Sequence, residues 1–245
     1  MSVPPEQYLE SLKDVKRQAE ETDYIMPIIL PFVPAILAVI GTLIAVLGGM
    51  AGRAGEAGMA LAGLGAAWAL YIIAAIIFIY VYYKWIDRRN THFYRMQKFF
   101  ENLTSYLESK GITDPELATI KNIQSDMKYK ETKENAFLWA ILSAIIGIVA
   151  LYVYHFLNKH FHQHELRERR ILESLKSILN KRGVYFEVPE QTIPNRNTIV
   201  YIILTIITVG IFGIYWIYTL TKDPNNHFIE HRKWEEKLLD VLARI

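Results

Sequence analysis

Cysteine is absent from all 245 residues. Its absence removes disulfides, zinc-thiolate sites, iron-sulfur clusters and cysteine nucleophiles together, and leaves the redox compartment unmarked. Charge is missing more locally. Residues 26–47, 59–83, 136–157 and 198–220 hold no Asp, Glu, Lys or Arg, and each run has the roughly 20-residue length that crosses about 30 Å of hydrocarbon. A large soluble domain spreads its apolar residues in stripes, whereas these sit in blocks. The expected class is therefore all-α, a polytopic membrane protein of about four transmembrane helices. Transporters and channels normally carry ionisable groups inside the bilayer, so their absence argues against proton- or sodium-coupled transport and against a charged substrate path. A formal charge of +2 is too small to suggest nucleic acid as a partner. Walker A, His-Glu-x-x-His and Gly-x-Ser-x-Gly motifs are also missing, so neither a catalytic residue nor an organic cofactor is expected. The first apolar block follows an acidic and basic helical stretch and reads as an internal anchor, not a cleavable signal.

What is present repeats. A shift of 135 positions pairs Tyr80 with Tyr215, Tyr83 with Tyr218, Asn90 with Asn225, His92 with His227, Phe93 with Phe228 and Leu103 with Leu238. A shift of 72 pairs Tyr80 with Tyr152, His92 with His164, Glu101 with Glu173 and Leu103 with Leu175, with His155 and Glu165 replacing the second Tyr and the Phe. Fixed-period similarity of this kind marks repeated structural units. Three degenerate repeats are expected, each a span followed by an amphipathic helix.

In order, residues 1–25 read as an N-terminal amphipathic helix with Tyr8, Leu12, Val15 and Ala19 on one face. Residues 26–83 form a Gly/Ala-rich transmembrane hairpin, kinked at its start by Pro31 and Pro34 and drawn tight by small residues at Gly48 to Ala67. Residues 84–134 are the first repeat's tail, with a seam of Phe93, Met96, Phe100, Leu103 and Leu107 ending at Gly111, then a helix capped at Asp114-Pro115. Residues 135–197 hold the third span and the second tail, with its seam at Leu172, Leu175 and Leu179. Residues 198–245 hold the fourth span, interrupted by Gly210 and Gly213, and the third tail.

If the spans alternate strictly, 18 Lys and Arg lie on one side and 9 on the other, which puts both termini in the cytoplasm of a multi-pass cell-membrane protein. Alternation also sends the middle tail to the opposite face. A re-entrant block that keeps all three tails together is the less favoured arrangement.

All seven histidines fall in the tails. The pairs His160/His164 and His227/His231 each place two imidazoles on one helical face, a geometry open to a divalent metal, although histidine at a membrane boundary more commonly serves packing. Asp223-Pro224 reads as an N-cap and first-turn proline that separate the fourth span from its tail.

Gly213 to Trp216 and Asp223 to Phe228 resemble a prokaryotic membrane family of unknown function whose repeats read Gly-Ile-Tyr-x-Ile-Tyr-Trp, an Asp/Asn-rich boundary and His-Phe. The match is good over the third repeat, partial over the first, and departs at His155 and Glu165. The resemblance implies a repeated membrane protein and carries no activity. The function expected is a non-enzymatic assembly, scaffold or accessory factor that meets itself through small-residue helix faces or a protein partner through its tails. The alternative is a transporter or channel for an apolar or lipid-like solute.

Overall fold

The computed structural model describes residues 4–245, so the first three positions of the N-terminal segment lie outside it. Every regular element among the described residues is helical. They are α1 (Pro5–Arg17), α2 (Ala19–Thr22), a 3-10 turn at Leu30–Phe32, α3 (Val33–Arg53), α4 (Ala57–Ser109), α5 (Pro115–Lys130), α6 (Ala136–Ile145), α7 (Gly147–Asn180), α8 (Thr198–Ile207) and α9 (Ile211–Leu242). Two compact units result. One comprises Met1–Ile25, Ile86–Glu134 and Tyr154–Ile245, the other Met26–Trp85 and Asn135–Val153.

The second unit is built on the α3–α4 hairpin. Helix α3 starts behind Pro31 and Pro34, as proline geometry requires. The limbs touch backbone to backbone: a Cβ on Gly63 would lie 2.9 Å from Gly48 Cα. Thr42 Oγ1 and Tyr71 OH, 3.0 Å apart, bridge the limbs further along. Leu30–Arg53 and Ala57–Ser109 are long and apolar enough to cross a membrane, and their most apolar windows are only 11% and 17% buried.

The third and fourth apolar blocks differ from the sequence expectation. Neither is one spanning helix. Ile146 is extended (φ −122°, ψ 93°) and separates α6 from α7. In a straight helix Trp139 and Tyr152 would stand about 20 Å apart, yet their rings are 5.1 Å apart, so the chain folds back. In the first unit, α8 ends at Ile207, and after Thr208 the residues Val209 (φ 50°) and Gly210 (φ 92°) turn the chain in the left-handed region. Tyr201 then meets Phe212 at 5.0 Å and Trp216 at 5.4 Å. Asn135 and Asn197 cap the two short helices, accepting from Leu138 N and from Ile199 N and Val200 N respectively.

The first unit packs α1, the C-terminal part of α4, α5, α7 and α9 around one core. Leu12, Phe100, Leu107, Ile120, Leu172, Leu175, Leu179 and Leu238 are all buried in it. The middle tail therefore packs with the other two. That overturns the expectation, drawn from strict alternation, that it lies on the opposite face. The physical reason is the pair of chain reversals, which return each broken block toward its starting end.

Asp223-Pro224 is a second correction. Helix α9 runs unbroken through Pro224, so Asp223 caps nothing and instead pairs with Arg196 at 2.6 Å. A proline inside a helix frees the carbonyl four residues earlier. That carbonyl, Leu220 O, accepts from Arg88 Nη2 at 2.8 Å, while Arg88 Nη1 donates to Asn225 Oδ1 at 2.8 Å.

Candidate functional site at the histidine cluster

Helices α4, α7 and α9 each turn one polar stripe toward the centre of the first unit. Residues four apart share a helical face, so α7 presents His164 and Glu168 together, α9 presents His227, His231 and Glu235, and α4 contributes His92 and Arg95. All of these are buried. His92 lies 5.2 Å from His164 and 5.1 Å from His227 between ring centroids. Phe93 stacks on His164 at 4.0 Å and Phe228 packs on His92 at 4.6 Å, so the aromatic partner of each His-Phe pair walls the site.

Each imidazole is held from behind by an acid. His92 Nδ1 is 3.0 Å from Asp23 Oδ1, His164 Nδ1 is 2.9 Å from Glu131 Oε2, and His227 Nδ1 is 3.3 Å from Glu165 Oε1. Ionised carboxylates only accept, so each Nδ1 carries a proton. The Nε2 atoms of His92, His164 and His227, together with Glu168 Oε1, have no hydrogen-bond partner among the described residues. His164 Nε2 and Glu168 Oε1 stand 2.9 Å apart as an ion pair without hydrogen-bond angles. One ligand atom from each of His92, His164, Glu168 and His227 lies within 4.8 Å of every other. Leaving a buried polar atom unsatisfied costs about 1–3 kcal/mol, and His92 Nε2 and His227 Nε2 have no hydrogen bond to relieve it.

The supporting shell continues. Asp23 Oδ2 accepts from Arg95 Nη2 at 2.7 Å, and Arg95 also grips both Glu235 oxygens at 2.9 Å. Glu235 accepts from His231 Nδ1 at 3.2 Å, and His231 Nε2 donates to Glu168 Oε2 at 3.0 Å. The linker before α8 closes the third side, where Thr192 N and Ile193 N donate to the two Glu165 oxygens at 2.7 and 2.8 Å.

Electrostatics divides the histidines. Burial opposes charge on His164, but Glu131 and Glu168 outweigh it and hold the ring up to about 9. His231 is likewise buried and likewise held up to about 9, by Glu168 and Glu235. With a proton on both nitrogens it is a donor to Glu168. Burial and the neighbouring His231, His227 and His164 push His92 far below its ordinary value. Burial and His231 also lower His227. Burial alone would raise Glu168; His164 and His231 overcome this and hold it well below the usual carboxylate range.

Of the sequence candidates for a metal, His164 and His227 are in the central four, and His231 supports Glu168. His160 is not among them; it packs beside Phe156 at 5.4 Å. Asn90 and Asn225 are buried and hold chain segments, Asn90 by donating to Glu134 O at 2.7 Å and accepting from Glu134 N at 3.0 Å. Tyr80, Tyr152 and Tyr215 are exposed and stand outside the cluster. Tyr83 and Tyr218 are half-buried and are not among the cluster's residues. Histidine pairs four apart on one helix do not point to His92 or Glu168 as ligands. The signal for the three histidines is their spacing, since positions 164 and 227 lie 72 and 135 residues after position 92 and the three come one each from α4, α7 and α9.

A cavity of about 20 Å³, room for one water, reaches Glu168, His227 and His231 from between α7, α9 and the linker at Thr192. Neither the curated proteins nor the solved structures contain a match to the chain. Residues 196–239, which span α8 and the part of α9 bearing His227, His231 and Glu235, match a family model described as Domain of unknown function (DUF4234).

Proposed function

We propose that this is a non-enzymatic, multi-pass membrane protein, an assembly or accessory factor in which three repeats bring their tails together as one bundle on the cytoplasmic face. The observation that carries this reading is that His92, His164 and His227, equivalent by the repeat, belong to one buried cluster. In this reading α3 and the first part of α4 cross the bilayer. The α6–α7 and α8–α9 hairpins dip in and return, since a ten-residue helix of about 15 Å reaches only about half the hydrocarbon thickness.

Non-helical backbone at membrane depth must satisfy its own polar groups, and the α8–α9 turn satisfies its donors. Thr208 N, Val209 N, Gly210 N, Ile211 N and Gly213 N all donate to nearby carbonyls, and Phe212 N donates to Thr208 Oγ1. Of the 27 Lys and Arg, all but Arg53 then lie on one side. That is a far stronger positive-inside bias than strict alternation provides, and it favours cytoplasmic termini. Gly41, Gly48 and Gly63 are taken up within the α3–α4 hairpin, whereas a side chain at Gly49, Gly58 or Gly65 would meet nothing within 4 Å. Those three positions offer the small-residue face for a second copy. The alternative, passage of an apolar solute, draws support from the two broken hairpins, a device that lines transporter sites.

Single cysteines at the exposed positions Glu56, Glu108, Glu173 and Lys237 test the arrangement in a chain with none of its own. Glu108, Glu173 and Lys237 are expected to label from the cytoplasmic side and Glu56 from the other. Labelling of Glu173 from the side opposite to Glu108 and Lys237 would sink the reading. Liposomes containing the protein that pass or scramble a lipid-like solute would favour the transporter instead.

A further inference from the structure

We propose that His92, His164, His227 and Glu168 bind a single divalent transition-metal ion of the zinc class, four-coordinate and closed, which fastens the three tail helices to one another. The inference rests on the reading of the tails as one bundle and assigns the ligand at its centre.

Four arguments converge. The donor set is three imidazole nitrogens and one carboxylate oxygen, which suits zinc and its first-row neighbours; magnesium and calcium select all-oxygen shells. The Nε2 atoms are the ones a metal would use, because each ring donates from Nδ1 to Asp23, Glu131 or Glu165; at His164 the metal takes the place of the Nε2 proton that faces Glu168 Oε1. Carboxylate-backed histidine is the usual support of a metal-bound imidazole, setting its tautomer and raising its basicity. The spacing is close to right as well. Metal-ligand bonds of about 2.0–2.1 Å place tetrahedral ligands ~3.3 Å apart, so atoms now within 4.8 Å of one another need only short rotamer adjustments.

The number of ligands decides the role. Catalytic zinc sites usually keep three protein ligands and leave a position for water, whereas structural sites close with four. His231 donates to the second oxygen of Glu168 and so presents the first oxygen as a single ligand. Arg95 links Asp23, behind His92, to Glu235, behind His231, so the supports of separate ligands move together. The ligands come from α4, α7 and α9, and none is close in sequence to a ligand on another helix. An ion at their centre therefore closes two long chain loops, and its binding energy becomes folding energy of the bundle.

The test uses the full chain in detergent micelles, purified without chelator and analysed for metal, then stripped and reloaded with Zn(II) or Co(II). One equivalent per chain is expected, with the intense visible bands of tetrahedral Co(II). Asp23→Asn, which keeps shape but removes the charge behind His92, is expected to weaken Zn(II) binding about 10- to 100-fold. His227→Asn is expected to weaken it further, and His160→Asn to leave it unchanged. A stripped wild-type chain that keeps its helical circular dichroism but takes up no Zn(II) or Co(II) overturns the proposal. Full loading of His227→Asn overturns the ligand assignment, and a weak octahedral Co(II) spectrum overturns the closed geometry. None of these failures alters the side from which Glu173 labels, so the bundle reading stands or falls separately.

Discussion

Arg88 donates to the carbonyl of Leu220 at 2.8 Å, the carbonyl that Pro224 deprives of its helical donor. The arginine is buried on α4, and the proline lies on α9. A local defect in α9 is thus repaired by a side chain from α4. Arg88→Met should destabilise the chain by about 2–3 kcal/mol, the range for losing a charge-assisted bond and stranding its acceptor. Pro224→Ala restores the helical donor and should recover part of that loss. Thermal unfolding of the four members of the cycle gives the coupling directly; additive losses would show that the two residues act independently.

Arg95 bridges two fully buried carboxylates, Asp23 and Glu235. Arg95→Met leaves both uncompensated, and removal of one partner from a buried ionic group typically costs about 3–5 kcal/mol. Arg95→Lys keeps the charge but loses the fork that reaches both acids. It should unfold at a temperature between those of Arg95→Met and wild type. Equal melting of Arg95→Lys and wild type would mean that charge alone suffices.

The α3–α4 hairpin should be intolerant at one glycine and indifferent at another. Gly63→Ala sets a Cβ 2.9 Å from Gly48 Cα, where only backbone can yield, and should cost about 1–3 kcal/mol. Gly65→Ala meets nothing within 4 Å and should be neutral or slightly stabilising. Unfolding temperatures measured in the same detergent check both.

The α8–α9 turn carries left-handed strain at a β-branched residue. Val209 has φ 50° and is followed by Gly210 at φ 92°. Val209→Gly should raise stability by about 1 kcal/mol, the strain relieved less the added chain entropy. Gly210→Ala should lower it by about 1–2 kcal/mol. If both substitutions shift the melting temperature in the same direction, the turn is not left-handed at these positions.

Helix positions were legible wherever punctuation and apolar length agreed. The proline start of α3, the glycine after α4 and the Asp114-Pro115 start of α5 all fall where local chemistry puts them. The broken blocks were not legible. Thr198 to Leu220 is uniformly apolar, and apolar length measures only whether a helix can span, not whether it turns back. Gly210 marked the place, but a glycine that bends a span and one that reverses it look alike in sequence. Pro224 misled for a related reason: a proline after an acid signals a cap locally, and the donor that lets the helix continue sits on α4.

Composition and period alone determined that the chain is helical, that its apolar residues fall in blocks of spanning length, and that His92, His164 and His227 share one spacing. These follow from short-range rules, because helix formation and hydrophobic length depend on neighbouring residues. Only the tertiary structure decided that the three tails pack together, that Glu168 and not His160 joins the histidines, and that Asp23, Glu131 and Glu165 stand behind them. Each of those outcomes depends on chain reversals at Ile146 and Val209-Gly210 and on contacts between residues far apart in sequence, which no local pattern specifies.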